Sequence, residues 1–187
     1  MLRRFLTALL LLLLAACQPK PDLPKLFPVP NAKLIDETGR AVQLDAMKGN
    51  VTVYNFIFTN CAAICPIMTN NMRAVTPKID KNAPVRFVSI SVDPTRDTPA
   101  VLAAYAQRNR NDPRWTFLTG KLGAIVDLSV NGFKLAASNP AAGAEPLLHS
   151  GKFAVADKQG IIRGYYDGTD GAVADEVVRA VEVLLGE

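Results

Sequence analysis

Two cysteines and one histidine are the residues of this 187-residue chain whose types could do chemistry together. Cys61 and Cys65 are separated by three residues, Cys65 is followed by Pro66, and His149 is the only histidine. Two thiolates and one imidazole are a minimal ligand set for Cu(I), and two neighbouring thiols can equally form a redox dithiol. The sequence therefore presents two alternatives, a copper site and a thiol–disulfide pair.

The spacing of the two cysteines favours a metal over a disulfide. Thioredoxin-type redox pairs have two intervening residues, and this pair has three. In a regular helix, residues four apart have Cβ atoms about 5–6 Å apart, whereas a disulfide prefers about 3.8 Å. A disulfide would therefore need Cys61 outside the helix, which a position in the preceding loop allows. A structural role is disfavoured, because closing so short a loop stabilises a fold by only about 2 kcal/mol.

The N-terminus is typical of an exported lipoprotein. Residues 1–16 contain two arginines and then a short apolar run, which predicts a signal peptide rather than a membrane span. The residues around Cys17 resemble a bacterial lipobox, which predicts that Cys17 is lipidated and anchors the protein in the cell envelope, facing the periplasm. Residues 17–30 contain five prolines and predict an extended tether before a single domain over 31–187. The alternatives are an uncleaved anchor, or a secreted protein in which Cys17 has no role.

The charge balance excludes a nucleic-acid partner. Removing residues 1–16 removes Arg3 and Arg4 and lowers the net charge from +4 to +2. No basic run remains in the rest of the chain.

The pattern of apolar residues predicts an α/β fold. Residues 51–58 and 85–92 are typical of buried central strands, and helices are expected over residues 65–81, 99–110, 122–133 and 172–185. Residues 32–44 and 152–166 predict an N-terminal and a C-terminal hairpin. This order indicates a mixed sheet with helices on both faces, with the cysteines where the first central strand meets its helix, which is the thioredoxin arrangement.

Four further residues could bear on the site but have simpler interpretations. Met68 and Met72 could be soft copper ligands, although methionines at helical spacing more often fill a core. Asp93 and Asp97 could support the site from behind, but turn formation and helix capping explain them sufficiently.

Three stretches of the chain resemble the Sco/SenC family of copper chaperones in cytochrome oxidase assembly. Residues 54–66 (YNFIFTNCAAICP) are similar to the family's strand followed by CxxxCP. Residues 87–99 (FVSISVDPTRDTP) are similar to its highly specific SVDPxRDTP run, and His149 falls where the family has a histidine. The resemblance extends from about residue 29 to the C-terminus.

The resemblance implies a thioredoxin-like fold with a hairpin insertion and a copper site formed by Cys61, Cys65 and His149. It also implies a metallochaperone rather than an enzyme. Such a protein delivers copper to the binuclear centre of a haem-copper oxidase, or keeps the cysteines of that centre reduced. The expected partner is the copper-site subunit of such an oxidase or another copper enzyme.

The chain departs from the family in the residues beside its ligands. Members often have an acidic residue between the cysteines and an aspartate before the histidine, and here Ala62, Ala63, Ile64 and Leu148 occupy these places. A more apolar, less anionic site favours Cu(I) over Cu(II).

Two enzyme classes remain as alternatives. A thiol–disulfide oxidoreductase that reduces a copper-site protein would need both cysteines and not His149, but reductases of this type have a proline immediately before the strand at residue 152, and Pro146 is too early. A thiol peroxidase could use Thr59 beside a reactive cysteine, but it would leave the second cysteine and His149 unused.

Overall fold

Eight strands and four α-helices make up the computed structural model, which describes residues 22–135 and 150–187. Cys17 and His149 lie outside the described residues. The strands are β1 (Phe27–Pro28), β2 (Lys33–Asp36), β3 (Ala41–Gln43), β4 (Val51–Ile57), β5 (Val85–Ser91), β6 (Trp115–Thr119), β7 (Lys152–Ala156) and β8 (Ile161–Asp167). The α-helices are α1 (Ile64–Val75), α2 (Pro99–Asn109), α3 (Leu122–Asp127) and α4 (Val173–Leu185).

All eight strands belong to one mixed sheet, in the order β1-β8-β7-β4-β5-β6-β2-β3. The central strands β4, β5 and β6 are parallel, and the other neighbours pair antiparallel. The hairpin β2–β3 forms one edge, and the hairpin β7–β8 joins the sheet beside β4. The sheet is flanked by four helices, which confirms the predicted thioredoxin-like architecture with N-terminal and C-terminal hairpins.

The central strands form because their residues are buried on both sides. All seven residues of β4 are buried, as expected of a parallel strand that is covered on both faces. Tyr54 and Phe56 contact Phe133 edge-to-face on one side of the sheet, with ring centroids 5.1 and 5.2 Å away. On the other side, Phe117 contacts Tyr105 of α2, with centroids 5.6 Å apart.

Two helices are shorter than the sequence predicts. The helix expected to end at residue 81 ends at Val75, and a 3₁₀ turn over Thr76–Lys78 follows. Pro77 explains the change, because proline has no N–H for the helical hydrogen bond. The helix expected over 122–133 continues past Asp127 as a π-turn over Leu128–Gly132.

Gly132 lets the end of this π-turn approach the N-terminal segment. A Cβ atom at Gly132 would lie 2.5 Å from Cγ of Pro30, which is too close for any other residue type without rearrangement. Phe133 follows directly and fills the space beneath β4. The close approach of Pro30 therefore requires a glycine at position 132.

The described part of the expected tether packs against the sheet. Phe27 and Pro28 pair with Ile162 and Ile161 of β8, and the guanidinium of Arg163 binds the carbonyl oxygens of Leu23 and Pro24. The folded domain therefore begins before residue 31, where the proline-rich composition placed the boundary. Within residues 22–135 and 150–187, no helix has the length and apolar character needed to cross a membrane.

We expect Phe133→Ala to lower the free energy of unfolding by about 3–5 kcal/mol, because it leaves a cavity between two aromatic rings. Urea denaturation monitored by circular dichroism measures this change. Leu122→Ala is the matched control, since Leu122 is 53% exposed and its truncation leaves no cavity. A loss for Phe133→Ala no larger than that of the control would show that Phe133 does not hold the turn on the sheet.

Candidate metal and thiol site

The two cysteines lie where β4 leads into α1. Cys61 is in the loop that follows β4, and Cys65 is in the first turn of α1. The residue before the helix, Ala63, supplies no side-chain cap, and the backbone N–H of Cys65 donates to Sγ of Cys61 over 3.4 Å. The sulfur of Cys61 therefore occupies the place of a helix-capping acceptor.

This position favours the thiolate form of Cys61. Partial burial opposes ionisation, but hydrogen bonds from the Cys65 thiol and from the N–H groups of Ala63, Ile64 and Cys65 outweigh it and hold the pKa of Cys61 below its ordinary value. The positive end of the helix acts in the same direction. Cys61 is thus the more reactive thiol of the pair at neutral pH.

Cys65 has the opposite character. Its side chain is 1% exposed, and burial raises its pKa to about 12, helped by its hydrogen bond to Cys61 and by the negative charges of Cys61 and Asp97. Both thiols are free. The thiol of Cys65 therefore keeps its proton at neutral pH unless a cation displaces it or the pair is oxidised to a disulfide.

The stretch of chain that carries the cysteines has no other ionisable side chain. Ala62, Ala63, Pro66 and Ile67 are exposed, and Ile67 retains 46% of its accessible surface. Apart from the two cysteines, the chain has no ionisable side chain between residues 59 and 72.

Asp97 supports the cysteine loop and does not cap α2. Thr98 is the N-cap of α2, and the carboxylate of Asp97, which is fully buried, accepts hydrogen bonds from other parts of the chain. Thr59 donates its N–H over 3.0 Å and its hydroxyl over 2.5 Å, and the Ser91 hydroxyl donates over 2.5 Å. The capping interpretation of Asp97 is therefore wrong, because the turn directs its side chain toward the loop.

Asp93 has the turn role that the sequence predicts. Its carbonyl oxygen accepts the N–H of Asp97 over 2.8 Å, and its carboxylate forms an ion pair with Arg96. The turn holds Asp97 in position under the loop.

The methionines belong to the core. Met68 and Met72 are both fully buried, and the methyl group of Met68 lies close to Gly168. This agrees with core filling and gives no support to a ligand role.

A tyrosine that sequence reasoning missed lies within electrostatic range of the cysteines. The hydroxyl of Tyr105 on α2 hydrogen-bonds to the hydroxyl of Thr69 on α1 over 2.8 Å. Burial raises the pKa of Tyr105, with smaller contributions from the negative charges of both cysteines and Asp97. Nothing in its local sequence signals this position, since it depends on how α1 and α2 pack.

The segment that follows His149 returns to the cysteine helix. A Cβ atom at Gly151 would lie 3.7 Å from the side chain of Ile64, the residue before Cys65. The hydroxyl of Ser150 is buried and has no hydrogen-bond partner within the described residues. The described ranges contain no group of three His, Cys, Asp or Glu side chains that could hold a metal, and His149 lies outside them.

Comparison with known proteins identifies relatives over most of the chain. The profile of the SCO1/SenC family matches residues 29–186. The SCO1 protein homolog of Bacillus subtilis is 33% identical over 153 residues, which are 79% of this chain and 77% of that protein. A protein of Stutzerimonas stutzeri named for copper binding is 28% identical over 146 residues, which are 76% of this chain and 71% of the relative.

Solved structures share the fold. A SCO1/SenC family lipoprotein from Bacillus anthracis superposes with a TM-score of 0.75 at 30% identity, over 84% of this chain and 95% of that one. BsSco, described as a member of the Sco family of cytochrome c oxidase assembly proteins with a disulfide switch, gives a TM-score of 0.77 at 28% identity, over 90% of this chain and 99% of its own.

We expect a thiol-reactive reagent to modify Cys61 selectively at neutral pH. The pKa of Cys61 is lowered and that of Cys65 is raised to about 12, so the thiolate population at pH 7 belongs to Cys61. Peptide mapping after brief iodoacetamide treatment locates the label. Cys61→Ser should lose almost all fast labelling and Cys65→Ser should keep it, whereas fast labelling of Cys65 would contradict the asymmetry.

Asp97→Asn should lower the free energy of unfolding by about 1.5–3 kcal/mol, because charge-assisted hydrogen bonds from Thr59 and Ser91 are lost or weakened. It should also lower the pKa of Cys65, since one of the charges that opposes its ionisation is removed. Thiolate absorbance near 240 nm in a Cys61→Ser background follows that pKa. The exposed Asp127→Asn is the matched control, and equal effects of the two changes would refute the supporting role of Asp97.

Proposed function

Since the chain belongs to the SCO1/SenC family, we propose that it is a membrane-tethered copper metallochaperone. The observation that carries the proposal is the pair of free thiols at the start of α1, in which the Cys65 N–H donates to Sγ of Cys61. Two soft sulfur ligands at a partly exposed position suit a cation that must be both bound and released.

The chemistry of the ligands supports copper as the cargo. Thiolates are soft ligands that suit Cu(I) as well as Zn(II), and the uncharged neighbouring residues favour the monovalent ion. A relative at 28% identity is named for copper binding. Zn(II) usually needs a fourth protein ligand or a bound water, and His149 is the only histidine of the chain.

We infer that His149 supplies the third ligand. Gly151, two residues later, lies against Ile64, the residue before Cys65. Two extended residues span at most about 7 Å, so the position of Gly151 is compatible with a ligand role for His149.

The difference between the two thiols gives copper binding an order. Cys61 binds first, because it ionises more readily and is accessible. The cation then replaces the proton of buried Cys65, whose pKa is raised to about 12. Release begins at the same residue as binding: thiolates of the partner displace Cys61 at the surface while Cys65 and His149 still hold the ion, and no electron is transferred in this exchange.

The proposed partner is the copper-site subunit of a haem-copper oxidase, or another copper enzyme. The support is family membership and the relative described as a cytochrome c oxidase assembly protein. We further propose that Cys17 carries a lipid and holds the domain at a membrane, facing the periplasm. A family member from Bacillus anthracis is described as a lipoprotein.

A second function, thiol–disulfide exchange, is favoured by the same asymmetry. Cys61 thiolate would attack a disulfide of the target protein, forming a mixed disulfide and releasing one target thiolate. Cys65 would lose its proton and attack Sγ of Cys61, which releases the second target thiolate and leaves a Cys61–Cys65 disulfide. An external dithiol reductant would then have to restore the free pair.

We expect the reduced protein to bind one Cu(I) per chain, and His149→Ala to lower the affinity by about 10–100-fold or more, because one of three ligands is lost. Anaerobic titration against a chromophoric Cu(I) chelator measures both quantities. Ser150→Ala, a change beside His149 that removes no ligand, is the matched control.

Tight binding that is indifferent to His149→Ala would contradict the three-ligand site. The same variant separates the two functions in an assay of disulfide reduction, where an oxidoreductase needs both cysteines and not His149. Full reductase activity together with weak copper binding would favour the second function.

A further inference from the structure

A buried arginine lies at the opposite end of the sheet from the cysteines. The side chain of Arg163 is 0% exposed. Arg163 has no partner residue on β7: its neighbours Gly164 and Ile162 pair with Val155 and Ala156, which are consecutive. Such a bulge redirects the side chain of its extra residue. A guanidinium in this position must be fully paired, since an unpaired buried charge is very costly.

The partners of Arg163 come from three separate parts of the chain: the N-terminal segment, the β7–β8 turn and the end of the chain. We call this cluster the arginine clasp. Its hydrogen bonds are Nη1 to Asp157 Oδ2 (3.0 Å) and Glu187 Oε2 (2.6 Å), Nη2 to Glu187 Oε1 (3.0 Å), Asp22 Oδ1 (3.0 Å) and the Leu23 carbonyl (2.5 Å), and Nε to the carbonyls of Leu23 and Pro24 (both 3.1 Å).

A second attachment follows the clasp along the N-terminal segment. The N–H of Leu26 donates to the carbonyl of Ile162 over 2.9 Å, and the N–H of Val29 donates to that of Gly160 over 2.8 Å. Within the described residues, the clasp attaches the first one, Asp22. Without the clasp, the first residue held by a backbone hydrogen bond would be Leu26, with Leu23 held only by its packing against the core.

We propose that the arginine clasp sets how far the copper site can stand from the membrane, a role that rests on the proposed lipidation of Cys17. Five residue steps separate Cys17 from Asp22, so this part of the chain spans at most about 17 Å. Opening the clasp would extend it to nine steps, or about 31 Å. A tether that remained free as far as residue 30 would span about 45 Å.

The clasp also fixes which end of the domain is tethered. Ile162 pairs with Ala156, which pairs with Thr52 at the start of β4, whereas Cys61 follows the end of β4. Five residues of β4, about 17 Å, lie between Thr52 and the end of the strand at Ile57. Tether and strand together account for about 34 Å between the lipid and the end of β4 that leads to Cys61.

A short tether selects a class of partner. It raises the effective concentration of the copper site toward a protein held in the same membrane, and it contributes nothing toward a freely diffusing one. The fitting partner is therefore a membrane-held protein whose copper-accepting site faces the aqueous phase within that height. Arg163 acts here as a positioning residue.

The test measures the distance between Cys61 and a bilayer. The lipidated chain with Cys65→Ser, which leaves Cys61 as its one free thiol, is labelled at Cys61 with a donor dye. It is then inserted into phosphatidylethanolamine–phosphatidylglycerol vesicles that contain a lipid-linked acceptor. We expect Arg163→Gln to lower energy transfer, because the dye can move away by up to about 14 Å more. Arg86→Gln, which removes an exposed arginine of β5, should leave transfer unchanged.

Shortening the tether distinguishes reach from a structural effect. Deleting residues 19–21 keeps Gln18 beside Cys17 and leaves six steps to Leu26, so in Arg163→Gln it should restore transfer to nearly the original value. Destabilisation alone would not be reversed by this deletion. Failure of the deletion to restore transfer, or unchanged transfer in Arg163→Gln, would overturn the proposal.

The rate of trypsin cleavage in the N-terminal segment tests the clasp without a bilayer. Lys20 is followed by proline and resists cleavage. Release of the domain from its N-terminal peptide therefore requires a cut after Lys25, which lies within the attached segment. We expect Arg163→Gln to speed this release about tenfold, and removal of Glu187 to do so less, which gives a milder variant if the first fails to fold. Unchanged release in both variants would overturn the clasp.

A chain that fails to acquire lipid would overturn the proposed lipidation of Cys17 and, with it, the proposed limit on the distance from the membrane. Copper titration would still test the metal site in that case.

Discussion

The parallel pairing of β4 with β5 is the constraint on which the site depends. Seven residue pairs hold the two strands in register, from Val51 with Val85 to Ile57 with Ser91. Because the strands are parallel, both chains leave the sheet at the same end, and the loop after β4 meets the turn after β5. Asp97 can therefore bind Thr59 and Ser91 together, and the start of α1 is directed toward Cys61. A shift of register by one residue would turn every buried side chain of these strands to the opposite face and separate the loop from its support.

Much of the fold follows from local sequence signals. The seven buried residues of β4 and the hairpin signal around Gly160 predict their elements closely, since burial and turn conformation are encoded where they occur. Pro77 is a local signal for a helix break, but how early α1 ends depends on the 3₁₀ turn after it. The π-turn at Leu128 and the early start of the domain could not be predicted, because they depend on a contact with Pro30 and on the distant Arg163.

The site was predictable to a similar extent. The spacing of Cys61 and Cys65 indicated a pair of thiols at a helix start, and the structure places them there. The difference between them was not predictable, because the lowered pKa of one thiol and the raised pKa of the other arise from hydrogen-bond directions and burial. The role of Asp97 was misassigned for the same reason: a carboxylate before Thr98 and Pro99 looks like a cap until the tertiary structure shows what it reaches.

The uncharged surface from Ala62 to Ile67 has a consequence for how partners arrive. Long-range electrostatic attraction accelerates association when charged surfaces face each other, and it weakens as salt is added. The stretch from Ala62 to Ile67 adds no side-chain charge of its own apart from the Cys65 thiol, so any attraction at a distance comes from other parts of the surface. At the cysteines themselves, contact with another protein would bury exposed apolar side chains such as Ile67 and exclude water from the Cys61 sulfur. What this patch contributes to recognition is therefore shape at contact rather than charge during approach.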